Sequence, residues 1–139
     1  MGSSLTDAQK EYLGTLESGN YIMIGGSAVV GDGVKQECTV FGNTERIGGS
    51  TRYETSKLVA DRFFSGDCEK VVLAYSMDYP DGLCAGVLAS KRKAPLLLVN
   101  NENIVQAKAW ASPANATKCT VIGGPTFISD DAAWGVIGR

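Results

Sequence analysis

Five short strand-like runs set the constraint on what this chain can fold into, four of them mainly apolar and one, Thr44 to Ile47, carrying Glu45 and Arg46. They are Tyr21-Ile22-Met23-Ile24, Thr44 to Ile47, Lys70-Val71-Val72-Leu73-Ala74, Leu96-Leu97-Leu98-Val99 and Thr120-Val121-Ile122, and each is followed by a stretch with helical spacing. The order reads α-β-α-β-α-β-α-β-α-β-α. Strands this short and this uniformly apolar bury both faces, so they belong to a mostly parallel sheet covered by helices on both sides. The expected class is α/β, Rossmann-like or toprim-like in the loose sense of short parallel strands alternating with helices.

Helix and turn signals place the elements more closely. Thr6 or Asp7 caps a first helix carrying Tyr12, Leu13 and Leu16. Asp32 is placed to cap a brief helix with Val34 and Cys38 on one face. Thr51 and Glu54 form a T-x-x-E capping-box pattern ahead of a helix carrying Tyr53, Leu58, Val59, Arg62 and Phe63. Asp81 is expected to cap a small-residue helix from Gly82 to Ser90, whose Ala85, Gly86 and Ala89 allow close approach to a sheet. Asn100 to Asn103 offer caps for a helix through Trp110. A last helix starts near Ser129 or Asp130.

One internal repeat is visible. Met23-Ile24-Gly25-Gly26-Ser27-Ala28-Val29-Val30-Gly31-Asp32 parallels Val121-Ile122-Gly123-Gly124-Pro125-Thr126-Phe127-Ile128-Ser129-Asp130 at an offset of 123 − 25 = 98 residues. Such self-similarity points to a tandem array of units of about this length. Residues 5–44 then read as the C-terminal part of a preceding repeat unit. Residues 45–139 read as a repeat unit packing with it as one compact domain, and Met1 to Ser4 as a leader outside the fold. No basic n-region and apolar h-region of a secretory signal is visible, so the chain reads as cytosolic or as a piece of a longer exported protein.

Composition excludes several functions. A net charge of −2 over 139 residues argues against nucleic acid or an anionic membrane as a partner held by general charge. No apolar run approaches the roughly 20 residues of a membrane span. Histidine is absent, which removes the commonest general base and metal ligand. The four cysteines, Cys38, Cys68, Cys84 and Cys119, lack the C-x-x-C spacing of zinc sites. Cys84 reads as a small buried hydrophobe in its helix. Cys68 and Cys119 each precede a strand, and a disulfide between them requires those strands to be neighbours. No metal and no cofactor is expected.

The segment Arg46-Ile47-Gly48-Gly49-Ser50-Thr51-Arg52-Tyr53-Glu54-Thr55-Ser56 is close to R-I-x-G-x-x-R-Y-E-T-S. Tyr79-Pro80-Asp81-Gly82-Leu83-Cys84-Ala85-Gly86-Val87-Leu88-Ala89 is close to F-x-D-A-L-S-A-x-x-L-A, and Ala94-Pro95-Leu96-Leu97-Leu98-Val99 to A-P-I-L-L-V. Together with the two Ile-Gly-Gly segments, and in this order, the chain resembles the cell-wall-binding repeat 2 modules of Gram-positive surface proteins. Gly82 for Ala, Cys84 for Ser and Gly31 for Ser are small-for-small departures. The resemblance implies an extracellular, non-catalytic anchor that attaches a secreted protein to an anionic wall polysaccharide. It also implies that units work in threes, in tandem or as a homotrimer, around a pseudo-threefold axis.

Each candidate binding residue has two readings. Arg52, at a helix start, suits a phosphate or carboxylate gripped in a bidentate way, or an ion pair with Glu54, Asp81 or a neighbouring unit. Arg46 has the same two readings, weighted to structure. Tyr53, Tyr75 and Tyr79 suit sugar stacking or burial with a bonded hydroxyl. Lys91, Arg92 and Lys93 suit a polyanion or a solvated helix C-terminus. The Gly-Gly pairs fit no nucleotide-binding pattern and read as tight strand exits. The alternative to an anchor is a small metal-dependent enzyme or phosphate-binding domain using Asp78 and Asp81, at the strand end where α/β sheets place ligands. A purely structural oligomerisation domain is the third reading.

Overall fold

The eleven elements follow the expected order, in a computed structural model that describes residues 3–16 and 19–139. They fall into two compact units, Met1–Thr51 and Arg52–Arg139.

The first unit holds α1 (Asp7–Thr15), β1 (Gly19–Ile24), α2 (Asp32–Cys38) and β2 (Gly42–Ile47). Thr6 is the cap of α1. Its hydroxyl accepts from the Gln9 amide at 3.3 Å, and the Gln9 side chain accepts from the Thr6 amide at 2.9 Å. This reciprocal box satisfies two of the donors a helix start leaves open. Glu37 of α2 ties α1 down, accepting from the Leu5 amide at 2.6 Å and from Lys10 at 2.9 Å. The Leu5 hydrogen bond, and after it Lys10, holds the Glu37 carboxyl below its usual range. β1 and β2 pair in parallel from Gly19↔Gly42 to Ile24↔Ile47.

The second unit holds α3 (Arg52–Phe63), β3 (Lys70–Tyr75), α4 (Tyr79–Arg92), β4 (Leu96–Val99), α5 (Val105–Ala111), β5 (Lys118–Ile122) and α6 (Asp130–Val136). Its parallel sheet runs β4-β3-β5. The central strand β3 serves two cores. Val71 and Leu73 pack with Ala60 of α3, Trp110 of α5 and Val136 of α6, while Val72 and Ala74 pack with Ala85 and Ala89 of α4 on the other face. This explains the uninterrupted apolar run at 71–74. Each of the fully buried Leu73 and Leu97 contributes about 1.5–3 kcal/mol by leaving water.

The internal repeat is structural. Gly25 after β1 has φ +133° and Gly123 after β5 has φ +139°, values that favour glycine. Gly26 O accepts from the Val29 and Val30 amides, and Gly124 O accepts from the Phe127 and Ile128 amides. The helices that follow, α2 and α6, each have 7 residues and begin at Asp32 and Asp130.

Several local expectations are corrected. α4 starts at Tyr79, with Asp78 as its cap accepting from the Tyr79 amide at 2.9 Å, so Asp81 lies inside the first turn. Pro80 sits in that turn, where a missing N–H costs nothing. Asp32 does not cap α2. Gly31 holds that position with no side-chain bond, and the Asp32 carboxylate is engaged by Arg46. The asparagines do not cap α5, which begins at Val105 after an uncapped Ile104. Asn100 and Asn103 bridge each other, while the Asn101 side chain donates to Thr126 O at 2.9 Å and accepts from the Ser129 amide at 2.7 Å. Cys84 is exposed, because it faces outward on α4. Cys68 and Cys119 are free thiols although β3 and β5 are neighbours: Cys119 lies level with Val71, and the Cys68 thiol turns to Lys70 O.

Candidate functional site

The carboxyl end of β3 gathers the second unit's chemistry around Ser76. This residue is buried, and its amide donates to Val99 O at 3.1 Å, joining the ends of β3 and β4. Its hydroxyl donates to the Tyr53 hydroxyl at 2.8 Å. Its carbonyl accepts from Arg52 Nη1 at 2.6 Å. Ser56, one turn along α3, donates to Tyr53 O at 2.8 Å and accepts from the Leu98 amide of β4 at 3.1 Å. The R-Y-x-x-S spacing is thus explained by geometry. Arg52 and Tyr53 grip the end of β3, and Ser56 grips β4.

Arg52 is exposed at the first position of α3. Its bond to Ser76 uses one of five guanidinium donors and satisfies a neutral carbonyl, so that bond removes none of the charge. Beside it the turn after β5 approaches α4. A Cβ at Gly123 would stand 3.3 Å from Asp81 Oδ2 and 3.5 Å from Tyr75 Cβ. Tyr75 stacks on Phe127 with ring centroids 4.5 Å apart. Arg52, Tyr53, Tyr75 and Asp81 therefore share the sheet's carboxyl end, where open α/β sheets receive ligands.

The other candidates lie elsewhere. Lys91 and Arg92 occupy the last turn of α4, about 20 Å from Asp78 at 1.5 Å per residue. Arg92 donates to Thr120 Oγ1 at 2.5 Å. Lys93 takes the left-handed cap, φ 51°, that ends the helix. Arg46 belongs to the first unit and is 15% exposed. It donates to Gly25 O at 2.7 Å, to Gly31 O at 3.4 Å and to Asp32 Oδ1 at 3.1 Å, which ties β2 to the turn between β1 and α2. Asp78 Oδ1 serves as the cap of α4. Among the described residues, no group of three His, Cys, Asp or Glu side chains lies close enough to hold a metal ion, and no helix is long and apolar enough to cross a membrane. Burial pushes the Cys119 thiol up, away from nucleophilic use.

Ser76 and Ser56 are the members of this site that motif reading passed over. Ser56 closes the R-Y-E-T-S motif, and Ser76 is the first polar residue after the buried strand. Ser56 thus carries a motif signal that hydrophobic periodicity does not register, while the role of Ser76 comes from partners that the fold brings to it.

Short parallel strands, helices on both faces and a polar cluster at the strand ends define an α/β binding module. The comparisons make this specific. The family model "Cell wall binding domain 2 (CWB2)" matches residues 46–133, and the chain belongs to that family of cell-wall-binding modules. It is 33% identical over 97 residues to the amidase enhancer of Bacillus subtilis (strain 168), covering 69% of this chain and 14% of that protein. It is 26% identical over 113 residues to the N-acetylmuramoyl-L-alanine amidase LytC of the same organism, covering 81% of this chain and 22% of that protein. Among solved structures, Cwp6 from Clostridium difficile matches 96% of this chain and 22% of its own, with a TM-score of 0.84 at 25% identity. The chain thus spans 14–22% of these relatives' length.

Proposed function

We propose that the module is a non-catalytic anchor that holds a secreted, extracellular protein to an anionic polysaccharide of the wall, with Arg52 as the principal contact. The observation that carries this is the placement of Arg52. An exposed guanidinium is held by Ser76 at the amino end of α3, where helix dipole and charge both favour an anion. Tyr53 and Asp81 border the same face, Tyr53 by fixing Ser76 and Asp81 by selecting which groups of a sugar polymer approach.

Units act together. An exposed apolar stripe runs along α4 through Tyr79, Leu83 and Val87, 78%, 67% and 62% exposed, and Gly82 and Gly86 have open space where a side chain would stand. A helix face of this kind suits packing against neighbouring repeat units, in tandem or as a homotrimer, with residues 5–44 as the tail of one unit and 45–139 as the next. Weak contacts repeated across units then add by avidity. Lys91 and Arg92, at the far end of α4, would meet the polymer only as part of such an array.

The test is sedimentation with purified Gram-positive walls before and after removal of the non-peptidoglycan polymer. The protein pellets with polymer-bearing walls only, and Arg52→Ala lowers apparent affinity about tenfold or more, the worth of a charge-assisted hydrogen bond. Arg52→Lys recovers part of the loss. Binding indifferent to stripping, or to both substitutions, overturns the reading.

A further inference from the structure

The two copies of the strand–turn–helix differ in one respect: β1 carries a strand on one edge that β5 lacks. In the first unit the Gly25 amide donates to Ile47 O of β2 at 2.8 Å. Gly25, Met23 and Tyr21 therefore turn their amides to β2, by the alternation of a parallel strand. In the second unit the Lys118 amide donates to Glu69 O at 2.9 Å, just before β3 begins. Alternation then turns the amides of Cys119, Val121 and Gly123 the other way. These are the counterparts of Tyr21, Met23 and Gly25 at the offset of 98 residues (123 − 25). Among the described residues no strand pairs with that side of β5, which is an edge of its sheet.

The groups that hold β2 against β1 recur beside this open edge. Arg46 is received by Gly25 O, Gly31 O and the Asp32 carboxylate. The matching positions are Gly123, Ser129 and Asp130, with the same turn and nearly the same φ at the first glycine. The second glycine is more telling. A Cβ at Gly26 would come within 2.9 Å of Gly49 O, so the close approach of the β2 exit requires glycine there. A Cβ at Gly124 meets nothing within 4 Å, and its φ lies outside the left-handed range. Nothing within the second unit calls for a glycine at 124. An incoming Ile-Gly-Gly exit would.

We propose that the open edge of β5 is a docking site for the β2-type strand of another copy of this repeat. The strand enters in parallel, its arginine is held by Gly123 O, Ser129 O and Asp130, and its second glycine lies against Gly124. The completed sheet runs β4-β3-β5-β2, with the last strand supplied by the neighbour. This deepens the array half of the proposed function and is independent of the polymer half.

The test appends the nonapeptide G-N-T-E-R-I-G-G-S, the sequence of residues 42–50, directly after Arg139, which repeats the length of the α2-to-β2 connection. Amide exchange is then followed by NMR with no wall material present. The appended segment slows exchange at Cys119, Val121 and Gly123 by about tenfold or more. Replacing its arginine by alanine, or Asp130→Ala, removes most of that protection. Gly124→Ala removes it too, while leaving exchange in the unextended chain unchanged. Unchanged exchange on appending the segment overturns the proposal, as does equal protection from a scrambled nonapeptide. Failure of wall sedimentation alone leaves it standing.

Discussion

Residues 23–32 and 121–130 trace the same strand, turn and helix start but are stabilised by opposite means. In the second unit β5 leans on β3 and on a core built around Leu73, Leu97, Val99 and Trp110. In the first unit the fully or nearly buried apolar residues among those described are Met23, Cys38 and Ile47. Backbone contacts and one arginine do the rest there. A Cβ at Gly48 would fall on the backbone of Gly25 and Gly26, and Arg46 bonds three acceptors across the turn. A turn of one shape can thus be held from a hydrophobic side or from a polar, close-packed side. Which of the two operates depends on the strand beside it.

The largest break in this comparison comes from the glycines. Gly48→Ala drives a Cβ into main chain that cannot move without separating β1 from β2, so the first unit loses about 3 kcal/mol. Gly124→Ala enters open space and changes stability by less than about 0.5 kcal/mol. Denaturant unfolding followed by NMR probes in each unit checks both, and equal effects would dissolve the distinction.

Arg46→Ala comes next. Removing a guanidinium that satisfies Gly25 O, Gly31 O and Asp32 costs about 1–3 kcal/mol, concentrated in the first unit. Arg46→Lys restores little, because an ammonium cannot span three acceptors. Exchange rates at Gly25 and Met23, whose amides face β2, report the loss, and unchanged rates would return Arg46 to the candidate ligand contacts.

The smallest effect is that of pH. The Glu37 carboxyl has a lowered pKa in the folded chain, so its tie to Leu5 and Lys10 contributes fully above the unfolded carboxylate value of about 4.3. The contribution fades as pH falls through the folded value. The Leu5 amide resonance should shift in that acidic window, and Glu37→Gln should remove the shift. No such titration is expected at the corresponding position of the second unit, which is Gly135.

Much of this was legible in the chain. The alternation of short apolar runs with helical stretches located four strands, the R-I-G-G segment marked the fifth at 44–47, and the two Ile-Gly-Gly segments announced the repeat. Arg52 and Tyr53 stood out because the R-Y-E-T-S pattern is unusual at a helix start. Asp81 has the local look of a cap, but that role belongs to Asp78, and Pro80 gives the cue, since proline favours a first turn. Ser76 carried no local signal, because its importance comes from the Tyr53 hydroxyl and Val99 carbonyl that only the folded sheet brings to it. The asparagines at 100–103 looked like caps, yet the Asn101 side chain serves the 126–129 turn instead.

By itself the amino-acid sequence determined the order of elements, the parallel α/β class, the repeat and the family motif. Those depend on the spacing of apolar residues and glycines along one chain, which is local information. The tertiary structure alone decided which partners each polar group meets. Arg46 and Arg52 look alike in sequence, but Arg46 is 15% exposed and bonds Gly25 O, Gly31 O and Asp32 within its unit, whereas Arg52 is exposed at a helix start and donates to the Ser76 carbonyl at 2.6 Å. The physical reason is that a side chain's function depends on acceptors and strand edges contributed from distant positions, and their arrival depends on the fold.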